Sequence, residues 1–255
     1  MITSLSTLAI FLFGTIIGSF LNVVAIRVLK GESISYPPSH CVNCNYRLKA
    51  YDLIPVLSFL WLRGKCRSCR QPISYRYPLG ELSTGLLFAV AFLTIGYQAE
   101  LVAALFFISI LIIITQTDLQ SMLIPNSIVI AGLIGGILIR LWIHPYPLWN
   151  HLGAMFVGSG ILLLLGVVMG KLLQREAMGG GDIKLYAFIG LMIGIPMTLL
   201  SLFLASVLGL LIMLPRRKHN AGGTIPFGPF IAGGALIAYL WGQDMVSWYI
   251  GLLNG

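Results

Sequence analysis

Residues 101 to 126 read LVAALFFISILIIITQTDLQSMLIPN. Seventeen uncharged, mostly apolar residues lead to a single carboxylate, Asp118, and the chain turns largely apolar again behind it. A run of this length approaches the ~20 residues that cross ~30 Å of hydrocarbon at ~1.5 Å per residue. A carboxylate at its end is costly near lipid, so it must face a bundle interior or a wet cavity and marks function.

The same pattern repeats along the 255 residues. Stretches 3 to 26, 82 to 99, 119 to 139, 141 to 170, 185 to 215 and 219 to 243 also lack Asp, Glu, Lys and Arg. The stretch 185 to 215 is long enough for two short helices turned near Gly194-Ile195-Pro196, because proline disfavours a continuous helix there. That gives eight spans. With 58% hydrophobic and 9% charged residues, against about 25% charged in a globular domain, a soluble fold is excluded. The expected class is an all-α polytopic membrane protein whose partner on most of its surface is the lipid bilayer.

The net charge of +8 would suggest nucleic acid in a soluble protein, but here the position of the charges excludes that partner. Walking the 16 Lys and Arg residues through eight spans puts all but Arg140 on one side, which the positive-inside rule makes cytoplasmic. Both termini then face outward. The N-terminal run has no basic residue before Arg27 and no small-x-small cleavage site, so it reads as a retained first helix. Gly14 and Gly18 give that helix a GxxxG face suited to close packing against a neighbour.

Residues 30 to 78 break the apolar pattern. They hold all four cysteines, as Cys41-Val42-Asn43-Cys44 and Cys66-Arg67-Ser68-Cys69, two CxxC pairs separated by 21 residues. Each pair can put two sulfurs on one ion, and together they complete a closed tetrahedral zinc site. Disulfides and a redox dithiol compete, but a cytoplasmic loop disfavours the first and no thioredoxin-like pattern surrounds either pair. A closed four-thiolate site leaves no position for water, so the zinc is structural and staples a loop too small for its own core.

Two further acids need a reason: Asp118, and Asp182 in Gly179-Gly180-Gly181-Asp182-Ile183-Lys184. Both fall at cytoplasmic helix ends in this topology. Three glycines are poor helix, but without Cβ atoms they let the backbone approach an extended peptide closely and offer it N–H and C=O groups. Two aspartates from different helices form the machinery of an aspartic protease, holding one proton between them. Histidine chemistry is not expected, because His40, His144, His151 and His219 scatter over both sides and read as interfacial or loop residues. Glu100 and Asp244 read as outer helix ends.

At this point the sequence resembles the type IV prepilin peptidases, also called prepilin leader peptidase/N-methyltransferases. The resemblance is carried by Gly18-Ser19-Phe20-Leu21-Asn22-Val23, the double CxxC module with Asp52-Leu53-Ile54-Pro55-Val56-Leu57-Ser58, Tyr77-Pro78 with Glu81, Asp118 with Ile124-Pro125, the Gly179 to Lys184 run, and Ile225-Pro226-Phe227-Gly228-Pro229. It implies an aspartic endopeptidase of the bacterial inner membrane that serves type IV pili or type II secretion. The substrate would be the basic leader of a prepilin or pseudopilin, followed by a hydrophobic helix. Asp118 and Asp182 would be the catalytic pair of a GxGD-type protease, and Cys41, Cys44, Cys66 and Cys69 the zinc ligands. The new N-terminus would then be methylated from S-adenosylmethionine, with Glu81 as a candidate for holding the α-amine or positioning that cofactor.

Alternatives are a leader peptidase without methyl transfer, a transporter using the two aspartates for protons or cations, and a scaffold docking a partner through its basic loop. The expected organisation is a first transmembrane helix over 1–29, a methyltransferase-associated zinc module over 30–78, and a peptidase bundle over 79–255. Lys184 could pair with Asp182 or simply obey the positive-inside rule. Asn126 stands where the family commonly has an acid, which bears on a helix cap.

Overall fold

The computed structural model describes residues 2–174, 178–216 and 226–254; Arg175, Glu176, Arg217, Lys218, His219 and Ile225 lie outside the described residues. Eight α-helices and one 3-10 turn are described. They are α1 (Ile2–Lys30), the 3-10 turn Ala50–Leu53, α2 (Leu57–Trp61), α3 (Arg76–Ile95), α4 (Glu100–Ser121), α5 (Asn126–Trp142), α6 (Leu148–Leu173), α7 (Gly180–Arg216) and α8 (Gly228–Asn254). Five of these, α1, α3, α4, α6 and α7, are long and apolar enough to cross a membrane, and α5 is a shorter apolar helix. The protein is an all-α polytopic membrane protein.

The helices start later than the charge-free stretches where proline intervenes. Pro125 and Pro147 precede α5 and α6 in extended conformation, as proline does at helix entrances. Gly96, with φ +72°, ends α3.

The chain divides into two compact units, residues 1–97 and 98–255. The division falls after α3, so this helix, which the sequence groups with the peptidase bundle, packs with α1 in the first unit. The buried positions of α1, among them Gly14, Gly18, Leu21 and Ala25, recur every three or four residues and form one stripe. A Cβ on Gly14 would lie 2.8 Å from Gly85 Cα, and one on Gly18 would lie 2.9 Å from Glu81 Cα. The GxxxG face thus lets α1 and α3 meet backbone to backbone.

In the second unit, α7 is interrupted at Gly194, whose φ of +76° no helix contains. The interruption is a reversal. A Cβ on Gly158 of α6 would stand 3.2 Å from Tyr186 O and 2.8 Å from Thr198 Cγ2, whereas twelve residues of continuous helix span about 18 Å. The first limb, 180–193, is the core of the unit. Leu185, Tyr186, Phe188, Ile189, Leu191, Met192 and Ile193 are all buried, as expected of a helix covered on every side by others. Phe188 meets Phe106 and Phe107 of α4 and lies under Gly132 of α5.

Breaking a helix orphans backbone groups, and side chains take them up. Pro196 has no N–H to offer Met192 O, so the buried Arg140 donates to that carbonyl. His151 Nδ1 meets Leu191 O at 2.9 Å, and Ile195 N–H donates to Asn150 Oδ1 at 2.9 Å. Arg140 is in turn held by Glu100, with Nη1–Oε2 2.7 Å and Nη2–Oε1 2.8 Å, and Tyr239 donates to the same carboxylate.

These positions refine two expectations from sequence and correct one. His151 is fully buried in the first turn of α6, because the reversal of α7 needs its ring nitrogen. Glu100 sits at a helix end as expected, but it is joined there to the fully buried Arg140 in an ion pair. Asp244 lies exposed well inside α8, which runs on to Asn254.

Candidate functional site

Two clusters of chemistry-bearing residues arise, one in each unit.

In the first unit, the two CxxC pairs fold as two copies of one knuckle. Antiparallel bridges close each copy, His40 with Arg47 and Lys65 with Pro72. Cys41 N–H donates to Tyr46 O and Cys66 N–H to Gln71 O, while Asn45 and Arg70 each donate back to the first cysteine of their own pair. Asn45 and Arg70 both adopt left-handed backbone, φ 57° and 61°. This turn aims both sulfurs of a pair to one side. All four Sγ atoms lie within 4.8 Å of one another, with Cys41 and Cys69 3.8 Å apart.

A tetrahedron with zinc–sulfur bonds of about 2.3 Å has sulfur–sulfur edges of about 3.8 Å. The Cys41–Cys69 pair already has that separation, and the whole set is clustered closely enough to hold a metal ion. The electrostatics agree. The Gln71 N–H favours the Cys69 thiolate, but burial and the three neighbouring thiols push the Cys69 thiol up to about 11, a crowding that a dication reverses.

The module is braced by a second cluster. Asp52 in the 3-10 turn accepts from Arg67 Nε at 2.7 Å and from Lys49 N–H at 3.1 Å. The Arg67 guanidinium also lies over the Tyr51 ring, 4.7 Å from its centroid. Asp52 is 1% exposed in its side chain and Arg67 44%, so the pair ties the second knuckle to the turn before it.

Glu81 is buried in the second turn of α3, where it receives Val56 N–H on Oε2 at 2.7 Å and interacts with the Ser19 hydroxyl. Val56 has φ +60°, a strained conformation for a β-branched residue, and the Glu81 carboxylate holds it there. Asn22 Nδ2 donates to Tyr77 O at 2.9 Å and fixes the entrance of α3 against α1. Arg27 donates to the carbonyls of Ser33, Ile34 and Pro37 and shapes the chain leaving α1. Between these anchors and the knuckles lies a cavity of about 720 Å³, lined among others by Arg27, Asp52, Phe59, Arg67, Tyr77 and Glu81. Its size falls within the range of small-molecule sites, and its mixture of acidic, basic and aromatic side chains fits a ligand carrying both charges and a flat ring.

In the second unit, Asp118 lies buried in the last turn of α4. A helix C-terminus disfavours a carboxylate. The N-terminus of α8 compensates, because Gly228 N–H donates to Asp118 Oδ2 at 2.8 Å. Gly228 has to lack a side chain, since its Cβ would lie 2.7 Å from that oxygen.

Asp182 stands half-buried in the first turn of α7, with its N–H on Gly179 O. Gly181 packs on Ile124, where a Cβ would come within 3.0 Å of Ile124 Cβ, and Lys184 Nζ donates to Asn126 Oδ1 at 3.0 Å. These two contacts draw the start of α7, which carries Asp182, onto the α4–α5 connection just beyond Asp118. Gly179 and Gly180 remain exposed, and nothing among the described residues approaches the position of a Gly180 Cβ within 4 Å.

The structure thus brings together Asp118, Asp182 and Gly181 in one unit, and all four cysteines in the other, with Glu81 beside the cavity there. Lys184 pairs with Asn126, the residue that sequence reading raised only as a possible cap. Sequence reading missed the role of Gly228, although the motif around it was visible, and missed the Ser19–Glu81–Val56 anchor. Neither leaves a trace in spacing, since each joins residues distant along the chain.

Residues 12–95 match the bacterial peptidase A24 N-terminal domain, and residues 105–214 match the type IV leader peptidase family. No solved structure matches the chain. A prepilin leader peptidase/N-methyltransferase of Bacillus subtilis is 39% identical over 251 residues, covering 96% of this chain and 98% of the relative. One of Aeromonas hydrophila is 35% identical, covering 94% and 92%. One of Myxococcus xanthus is 41% identical over 184 residues, covering 71% and 55%. Identity at this level along nearly the full length of two such relatives places the chain in the prepilin leader peptidase/N-methyltransferase family.

Proposed function

We propose that the protein is a membrane aspartic endopeptidase that removes the basic leader of prepilins or pseudopilins, with Asp118 and Asp182 as its catalytic pair. The observation that carries this reading is the approach of two carboxylates from separate helices, one held by a backbone N–H and the other beside an open glycine run. The ionised aspartate takes a proton from water, whose oxygen attacks the scissile carbonyl carbon. The protonated aspartate gives its proton to the carbonyl oxygen. The tetrahedral intermediate then collapses, the C–N bond breaks and the leaving nitrogen is protonated. Gly179, Gly180 and Gly181 lie along the extended peptide, and Lys184 fixes the loop through Asn126.

The reversal at Gly194 supports eight passes, and the distribution of basic residues supports a cytoplasmic placement for the zinc module and the aspartates in the bacterial inner membrane. Cys41, Cys44, Cys66 and Cys69 hold a structural zinc ion, whose closed thiolate shell folds the loop and takes no part in catalysis.

The cavity beside Glu81 is assigned to S-adenosylmethionine, which when bound supplies an electrophilic methyl group for the α-amine released by cleavage. Glu81, anchored on Val56 and Ser19, holds that amine, while Arg27, Asp52 and Tyr77 line the cavity around the donor. The experiment is to incubate the purified enzyme in liposomes with a full-length precursor and a labelled methyl donor, and to weigh the product. Loss of the leader mass with gain of one labelled methyl group supports both halves, loss of the leader alone supports only the peptidase, and an unchanged precursor rejects the reading.

A further inference from the structure

One group beside the aspartates has no role in the mechanism above. Tyr186 follows Asp182 by one helical turn on the first limb of α7, so the two residues share a face. Side chains in a helix lean toward its N-terminus, which carries the Tyr186 ring back toward the turn that holds Asp182. The ring occupies a slot opened by the missing side chain of Gly158, where a Cβ would stand 3.4 Å from Tyr186 Cδ1.

Tyr186 is 1% exposed, yet its hydroxyl has no hydrogen-bond partner among the described residues. Buried hydroxyls are almost always paired, and phenylalanine would fill the same slot without leaving a polar atom unsatisfied. The hydroxyl therefore needs an acceptor. Ser201, whose own hydrogen goes to Thr198 O at 2.8 Å, makes no hydrogen bond to it either. The carboxylate of Asp182, one helical turn earlier on the same face, is the acceptor toward which the ring leans.

We propose that Tyr186 is a positioning residue of the peptidase site, whose hydroxyl donates to the Asp182 carboxylate when the peptide is bound and fixes its orientation toward Asp118. The inference rests on the aspartic-peptidase reading. Among titratable groups on the helices around α7, Asp118 of α4 is held by the Gly228 N–H just before the α4–α5 connection on which the start of α7 rests. Arg140 of α5 and His151 of α6 are engaged at the Gly194 end. Tyr239 of α8 is bound to Glu100, Lys184 of α7 to Asn126, and Lys171 of α6 and Asp244 of α8 are exposed. Tyr186 is thus the neutral donor placed to serve this carboxylate.

The test compares wild type, Tyr186→Phe, Ser201→Ala and Asp182→Asn in liposomes, following leader removal from a full-length precursor across pH. Tyr186→Phe is expected to keep its melting temperature and KM while kcat falls about tenfold, the effect of one hydrogen bond to a charged group. The acid limb of its kcat/KM profile should move to higher pH, because a carboxylate that loses a donor is protonated more readily. Ser201→Ala should leave both unchanged. A wild-type kcat and pH profile in Tyr186→Phe overturns the inference, and so does the same loss and shift in Ser201→Ala, which would assign the hydroxyl to Ser201. If Asp182→Asn is silent while Tyr186→Phe is normal, only the inference fails; if Asp182→Asn cleaves at the wild-type rate, the peptidase reading fails with it.

Discussion

The N–H of Gly228 donates to Oδ2 of Asp118 at 2.8 Å across 110 positions of sequence. The first residue of α8 thereby holds the carboxylate in the last turn of α4, an end of the helix that would otherwise repel it.

Gly228→Ala should displace that carboxylate, because the new Cβ would meet Oδ2 at 2.7 Å and Cγ at 3.0 Å. Leader removal is expected to fall about a hundredfold, the scale of loss for a misplacement near 1 Å at a reacting group. The melting temperature in detergent should change little. Kinetics at the wild-type level in Gly228→Ala would deny this contact a role.

Metal removal addresses the other unit. The four sulfurs already lie within 4.8 Å of one another, one pair at 3.8 Å, and a module this small depends on its metal for folding. One zinc per chain is expected by elemental analysis. Chelation, or Cys66→Ser, should expose residues 31–75 to protease while the helical circular dichroism persists. A loop equally resistant without metal would contradict the assignment.

The bracket around Gly194 predicts a stability effect separate from chemistry. Arg140→Met leaves Glu100 without its cation and Met192 O without a donor, so a loss of about 3 kcal/mol is expected, seen as a lower melting temperature. Adding Glu100→Gln should cost less than the sum of the single changes, because the two residues form one ion pair with a fully buried guanidinium. Strict additivity would show that the pair is not energetically joined.

Glu81 separates the two activities. Glu81→Gln retains an oxygen to accept Val56 N–H but removes the charge assigned to the α-amine. Methyl transfer should fall at least tenfold while leader removal stays normal. Equal loss of both activities would make Glu81 a support of the fold alone.

The membrane class and the helix positions were legible because lipid imposes length and charge rules on every span. The break at Gly194 was legible too, since Pro196 removes a donor at a fixed place. The cysteine cluster followed from spacing, because each CxxC is a local turn. What the sequence concealed are partnerships between distant residues. Nothing near His151 signals that Leu191 O needs it, and that need exists only because α7 doubles back. Arg140 looks like an ordinary interfacial charge until Glu100, Met192 and Tyr239 are folded around it. The pairing of α3 with α1 was hidden for the same reason: glycines at 14 and 18 announce close packing but do not name the partner.

The account stands on Asp118 and Asp182 acting as one pair. Its most direct test is the intact mass of a full-length precursor after incubation with wild type, Asp118→Asn and Asp182→Asn in liposomes, all three shown by melting temperature to be folded. Wild type should yield the shortened pilin, and each variant should leave the leader attached. A shortened product at the wild-type rate from either variant would contradict the claim.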